Sequence, residues 1–144
     1  MEAKKRIALI AHDNKKKDLV EWVLNHKAII AQHELYATGT TGRMVEEALK
    51  QPVFKLQSGP LGGDQQVGAL IVEGKIDLLV FFWDPMAAQP HDPDIKALLR
   101  IAAVWNIVIV CDTATADFVI QSPLMSTAYN KVLPDYEVHN NRVI

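Results

Sequence analysis

Apolar residues in this chain fall into short unbroken runs separated by helically spaced ones. Arg6–Ala11 (Arg-Ile-Ala-Leu-Ile-Ala) and Leu78–Trp83 (Leu-Leu-Val-Phe-Phe-Trp) are continuous runs of strand length, the pattern of strands covered on both faces. Leu35-Tyr36-Ala37, Val53–Leu56 and Ile107–Cys111 give three shorter ones. Between them, Leu19, Val20, Val23 and Leu24 share one face of a helix starting near Lys16, with Trp22 beside them. Met44, Val45, Ala48 and Leu49 mark a second helix, which Pro52 stops. A third starts at Asp64 and ends at Gly74, a C-cap residue. Ile95, Leu98, Leu99, Ala102 and Ala103 follow, with Pro93 in the first turn, and Thr113–Ile120 is the last clear helix. Strands alternating with helices predict an α/β fold, doubly wound, with a mainly parallel five-stranded sheet and helices on both faces. The stretch 122–144 lacks periodicity, and no repeat or linker divides the chain, so a single domain over 1–144 is expected.

Composition narrows the function classes. With 144 residues, 49% hydrophobic and 22% charged, the chain has the make-up of an ordinary soluble domain. A net charge of -2 argues against a nucleic-acid surface, because acids dilute the clusters Lys4-Lys5-Arg6 and Lys15-Lys16-Lys17. No apolar run approaches the roughly 18 residues of a membrane span, and no signal-peptide pattern is evident. The lone cysteine, Cys111, cannot form an internal disulfide and is expected to be buried rather than reactive. Cytoplasmic residence, with no membrane or nucleic-acid partner, is the resulting expectation.

Chemistry should gather where the strands end. In a parallel sheet, ligands bind outside the carboxyl ends of the strands. His12, Asp13 and Lys16 follow the first strand, and Thr38, Gly39, Thr40 and Thr41 the second. Ser58, Gly59 and Asp64 follow the third, Asp84, His91 and Asp94 the fourth, and Asp112, Thr113 and Thr115 the fifth. The stretch Ser58-Gly59-Pro60-Leu61-Gly62-Gly63-Asp64 reads as a glycine-rich loop between strand and helix. Such a loop can cradle an anion on backbone amides and a helix dipole, or it can be a plain turn with Asp64 as its N-cap. As an N-cap, Asp64 would have its pKa lowered by the dipole.

The threonine loop offers hydroxyls and amides, and Lys16 a point charge, the donors that a phosphate monoester needs. Helix capping and solvation explain the same residues equally simply. His91, between Pro90 and Asp92, is either a surface loop histidine or a ligand contact. His12 closes a strand, where it serves a ligand or simply satisfies the backbone. No Walker spacing, zinc pattern or Gly-x-Ser-x-Gly elbow occurs. One cradle, one carboxylate and one histidine together suggest proton abstraction beside the carbonyl of a small phosphorylated substrate.

Five motifs in order carry a family resemblance: 7–16 (Ile-Ala-Leu-Ile-Ala-His-Asp-x-Lys-Lys), 37–42 (Ala-Thr-Gly-Thr-Thr-Gly), 56–66 (Leu-Gln-Ser-Gly-Pro-Leu-Gly-Gly-Asp-Gln-Gln), 81–85 (Phe-Phe-Trp-Asp-Pro) and 90–94 (Pro-His-Asp-Pro-Asp). In these residues the chain resembles methylglyoxal synthase. The resemblance implies a Rossmann/flavodoxin-like sheet and conversion of dihydroxyacetone phosphate to methylglyoxal and inorganic phosphate, without metal or organic cofactor. It implies phosphate contacts at Lys16, Thr38, Thr40, Thr41, Ser58 and Gly59, with His12 and His91 also on the ligand and Gly39 within the threonine loop. Asp64 matches the family's base, which removes a C3 proton to give an ene-diolate. His91 matches the residue that polarises the carbonyl and moves protons between oxygens. Asp94 is implied as a second carboxylate of the site, with Asp13 and Asp84 as supporting acids. Arg142 is the candidate for an arginine that helps close or link sites.

Homohexamers, and inorganic phosphate as both product and inhibitor, are further implications of the resemblance. Two other readings share the fold outline. The regulatory domain of carbamoyl phosphate synthetase resembles it and binds phosphorylated effectors without catalysis, but such a module has no use for Asp64 opposite His91. A phospho-acceptor receiver needs an aspartate after the third strand and a lysine after the fifth, where Gln57-Ser58 and Asp112-Thr113 stand.

Overall fold

A computed structural model describes residues 1–88 and 90–142. Five strands, β1 (Arg6–Ala11), β2 (Glu34–Thr38), β3 (Phe54–Leu56), β4 (Leu78–Phe82) and β5 (Val108–Val110), form one sheet in the order β3-β2-β1-β4-β5. Every pairing is parallel: Ile7 faces Leu35 on one side of β1 and Leu78 on the other. This is the Rossmann order, in which the chain winds outward from β1 through β2 and β3 and then returns to the other side at β4. The α/β class and the parallel five-stranded sheet are as the periodicity predicted.

The side-chain period of two explains the layering. Ile7, Leu9 and Ala11 of β1, with Leu78, Val80 and Phe82 of β4, enter one core, shared with α1 (Lys16–Asn25), α3 (Gly39–Leu49) and α6 (Thr113–Ile120). Ala8 and Ile10, with Leu79 and Phe81, enter the other, under α4 (Gly63–Val72) and α5 (Asp92–Val104). Strands buried on both faces must be apolar at every position, which is why β1 and β4 carry the two unbroken runs. At the outer edge β3 keeps three residues, and Phe54 and Lys55 are exposed.

The local corrections have local causes. A short helix, α2 (Lys27–Ile30), follows α1, and β5 is shorter than the run Ile107–Cys111. Asp64 is not an N-cap. Gly62, with φ at +96°, takes that place, and Gly63 starts α4. A Cβ at position 63 would sit 2.1 Å from the carbonyl oxygen of Gln57, so only glycine lets the loop fold back onto the helix start. Asp64 is thereby carried to the second helical position, inside the protein. Gly74 follows α4 with φ at +70°, as expected for a helix terminator.

At the amino edge of the sheet, Arg6 and the buried Asp77 lock β1 to β4. The Arg6 backbone amide and Nε each donate to Asp77 Oδ2 at 3.0 Å, and Nη2 donates to Oδ1 at 2.9 Å. The stretch after α6 holds a 3-10 turn (Pro123–Met125) and a short helix, α7 (Glu137–Asn140). Lys131 Nζ donates to the Trp105 carbonyl at 2.8 Å, and Tyr136 Oη to that of Val104, so this stretch straps the carboxyl end of α5. Among the described residues no helix is long and apolar enough to cross a membrane.

Candidate active site

Each strand ends where its next element must leave the sheet, and the side chains at those turns meet over β1. A cavity of about 270 Å³ opens there. His12, Asp13 and Lys16 line it from the β1 side, and Thr38, Gly39, Thr40 and Thr41 from β2 and the start of α3. Ser58, Gly59, Pro60 and Asp64 come from the β3–α4 loop, and His91 from the residue before α5. Topology alone places these groups together.

One wall is built of donors. The Thr38 side chain makes no capping bond at the start of α3, so the amides of that first turn are left for a ligand. Thr38 and Thr41 are buried, and Gly39, with φ at +38°, lets the turn approach Ser58 closely: a Cβ there would lie 2.9 Å from Ser58 Cα. Lys16 Nζ bonds Asp13 Oδ1 at 2.5 Å, and that bond holds the Asp13 carboxyl below the usual carboxylate range. An ammonium, hydroxyls and uncapped amides are the donors that an anion site needs.

The same cavity also holds buried polar groups that the fold does not satisfy. Among the described residues, four buried side-chain atoms lack a hydrogen-bond partner: His12 Nε2, both Asp64 carboxylate oxygens and His91 Nδ1. All four belong to residues of this cavity. Buried polar atoms are almost always satisfied, so such a concentration marks a site built for something else to bind. His91 Nε2 stands 3.8 Å from Asp64 Oδ2, too far for a hydrogen bond and close enough to share a ligand. Gly59 makes the approach tight, because a Cβ there would lie 3.3 Å from Asp64 Oδ2 and 3.4 Å from His91 Nε2.

The electrostatics of Asp64 run opposite to the expectation from an N-cap. Burial pushes its carboxyl above the usual range, and the Asp94 charge adds to that push, while His91 and His12 pull it only partly back. The result is a stronger base than an ordinary aspartate. His12 is driven the other way. Burial and the neighbouring His91 ring, 5.8 Å away between centroids, lower its pKa and keep its imidazole neutral.

Three predicted residues stand outside the cavity. Asp84 is buried behind His12, taking a bond from Asn14 at 2.9 Å and giving its backbone N–H to His12 Nδ1 at 3.2 Å. Asp94 lies in the groove between α4 and α5, which reaches Asp64 from its other side. Arg142 is exposed in the last described segment and does not line the cavity. At the end of β5, Asp112 and Thr115 satisfy each other by capping α6 and take no part. Cys111 is half-buried, and burial raises its thiol pKa. Sequence reasoning missed Asn14, whose only signal is its place directly after His12-Asp13 at a strand end.

The family model described as MGS-like domain matches residues 18–111. A methylglyoxal synthase of Saccharophagus degradans is 58% identical over 139 residues, 96% of this chain and 90% of that one. One from Coxiella burnetii is 55% identical over 140 residues, 97% of this chain and 98% of that one. A crystal structure of methylglyoxal synthase from Elizabethkingia anophelis superposes with a TM-score of 0.94 at 52% identity, over all of this chain and 95% of that one.

Proposed function

The chain belongs to the MGS-like family, and we propose that it is a lyase converting dihydroxyacetone phosphate to methylglyoxal and inorganic phosphate. The observation that carries this reading is an unpaired, buried Asp64 facing His91 across from a donor-lined anion cradle.

In the proposed reaction the phosphate sits among Lys16, Ser58, the backbone of Gly39 and Gly59, and the hydroxyls of Thr38, Thr40 and Thr41. Asp64 takes a proton from C3, and the electron pair of that bond becomes the C2–C3 double bond of an ene-diolate. His91, with the neutral His12 beside it, supports the charge on the C2 oxygen. His91 then moves a proton from the C3 oxygen to the C2 oxygen. The C3 oxygen, now an alkoxide, forms a carbonyl, the double bond shifts to C1–C2, and the C1–O bond breaks with its pair leaving on phosphate. The enol released rearranges to methylglyoxal, and the Asp64 proton goes to the departing phosphate or solvent. Charge on the ene-diolate is tolerated because the cavity is polar where it develops. The reaction calls for no metal or organic cofactor.

Several finer features belong to the same reading. The chain acts as one domain over 1–144 in the cytoplasm, assembles as a homohexamer, and is inhibited by the phosphate it releases. Asp94 tunes Asp64 from the α4–α5 groove, Asp13 and Asp84 support Lys16 and His12, and Arg142 helps close or link sites within the assembly. A non-catalytic effector module would use the cradle alone. It would gain nothing from a buried carboxylate without a partner, which only costs stability.

The experiment is direct. Purified protein incubated with dihydroxyacetone phosphate releases methylglyoxal and phosphate in equal amounts. Tight binding of the substrate without either product would replace the lyase reading with the effector module.

A further inference from the structure

Behind the cavity runs a chain of contacts whose surface end, Asn14, the reaction above leaves unassigned. Asn14 sits in the 3-10 turn Asp13–Lys15, on the protein surface, and donates through Nδ2 to Asp84 Oδ2 at 2.9 Å. The other carboxylate oxygen, Oδ1, accepts the Met86 amide at 3.0 Å. The Asp84 side chain is thus held on both oxygens beside its own backbone N–H, which donates to His12 Nδ1 at 3.2 Å. The last bond joins the carboxyl ends of β1 and β4, where the winding of the sheet reverses.

An imidazole nitrogen that accepts from an amide carries no proton. A neutral ring has a single N–H, so the proton of His12 belongs on Nε2. That atom is buried, has no partner among the described residues, and belongs to a residue lining the anion cavity. As an N–H it donates to an anionic oxygen. In the other tautomer it would present a lone pair to the lone pairs of the ligand and repel it.

We infer that Asn14 is a positioning residue for His12: by clamping Asp84 it keeps His12 in the Nε2–H form that a ligand oxygen requires. Asn14 does not line the cavity, so it acts only through Asp84 and the backbone amide. The inference rests on the proposed lyase reading for the identity of the ligand, but the tautomer itself does not.

Nitrogen-15 spectra of the imidazoles in the 144-residue chain separate a protonated ring nitrogen from a bare one. In the wild type the His12 Nε2 is protonated and Nδ1 is not. In Asn14→Ala the two forms mix, and kcat/KM for dihydroxyacetone phosphate falls about tenfold, the size of one lost hydrogen bond to a charged group. The melting temperature barely moves, because position 14 is on the surface. Asn14→Asp alone sets two carboxylates together and does more damage than alanine. The double variant Asn14→Asp/Asp84→Asn recovers both the tautomer and part of the rate. In it the amide introduced at 84 keeps an oxygen for Met86 and offers its nitrogen to the carboxylate introduced at 14. An unchanged tautomer in Asn14→Ala overturns the assignment, as does an altered tautomer with unchanged kcat/KM, or a double variant worse than both singles. A wild type without turnover refutes the lyase reading, and the spectra then uphold or overturn the Asn14 clamp on their own.

Discussion

Asp64 and Asp77 are equally buried, each 3% exposed, and stand at opposite edges of the same sheet. At the amino edge, Asp77 accepts three bonds from Arg6, two from the guanidinium and one from the backbone amide. Burial pushes its carboxyl up, but the Arg6 side chain and backbone bonds outweigh that and leave it below the usual range. At the carboxyl edge, Asp64 accepts no bond from the described residues, and burial leaves its carboxyl high. One buried acid is matched to hold two strands together. The other is left unmatched at a cost in stability, the pattern expected where the proposed reaction uses its proton affinity.

Removing each acid breaks the comparison at a different place, and the larger effect lies in the rate. Asp64→Asn keeps the shape of the side chain and removes the proposed base. Turnover of dihydroxyacetone phosphate should fall by about 10³-fold or more, the upper range for general-base catalysis. The cavity still binds inorganic phosphate, and the melting temperature stays level or rises, because a buried charge without a partner has gone. Steady-state kinetics, phosphate titration and a thermal melt together decide it. A variant that melts several degrees lower and keeps its rate would make Asp64 a structural acid like Asp77.

Asp77→Ala tests the other half. Removing one partner of a buried ion pair is strongly destabilising, and the Arg6 side chain, 31% exposed, relieves part of the penalty by reaching water. A loss of roughly 2–3 kcal/mol follows, read as a lower urea midpoint with an unchanged slope. The rate per folded molecule changes little, since the pair sits at the far edge of the sheet from the cavity. A rate loss matching that of Asp64→Asn would mean that the two edges are coupled.

Which acid would be matched was not legible along the chain. The strands were, because β1 and β4 are covered on both faces and show it as unbroken apolar runs. The rule that ligands bind at strand ends then gathered His12, Lys16, Thr38 to Thr41, Ser58, Gly59, Asp64 and His91 at one edge of the sheet. The strand order was hidden, since a pairing such as Ile7 with Leu78 is set by packing across the whole fold. Asp64 read as an N-cap because the capping rule sees only neighbours. It could not see that the Gln57 carbonyl crowds position 63, that the N-cap lies two residues earlier at Gly62, and that Asp64 is thereby buried within the first turn. Asp94 shared the sheet edge in sequence, but the geometry of α5 assigns it to the groove behind Asp64.

The smallest effect is a matter of sign, and it separates the two acids most cleanly. Asp64 has a folded pKa above its unfolded one, so in the window between them the folded state holds more protons. Its contribution to stability therefore declines as pH rises through that window, and the penalty is complete above it. Asp77 has a folded pKa below its unfolded one, so its contribution is present above the unfolded value and is lost as pH falls through the folded value. Every tenfold change in proton affinity between the two states is worth about 1.4 kcal/mol. Urea unfolding of the wild type and both variants, from acid to neutral pH, reads the difference. Relative to the wild type, Asp64→Asn gains stability toward neutrality and Asp77→Ala loses it. Two variants that both lose stability toward neutrality would mean that both carboxylates are matched in the folded state, and the distinction between the two acids would fail.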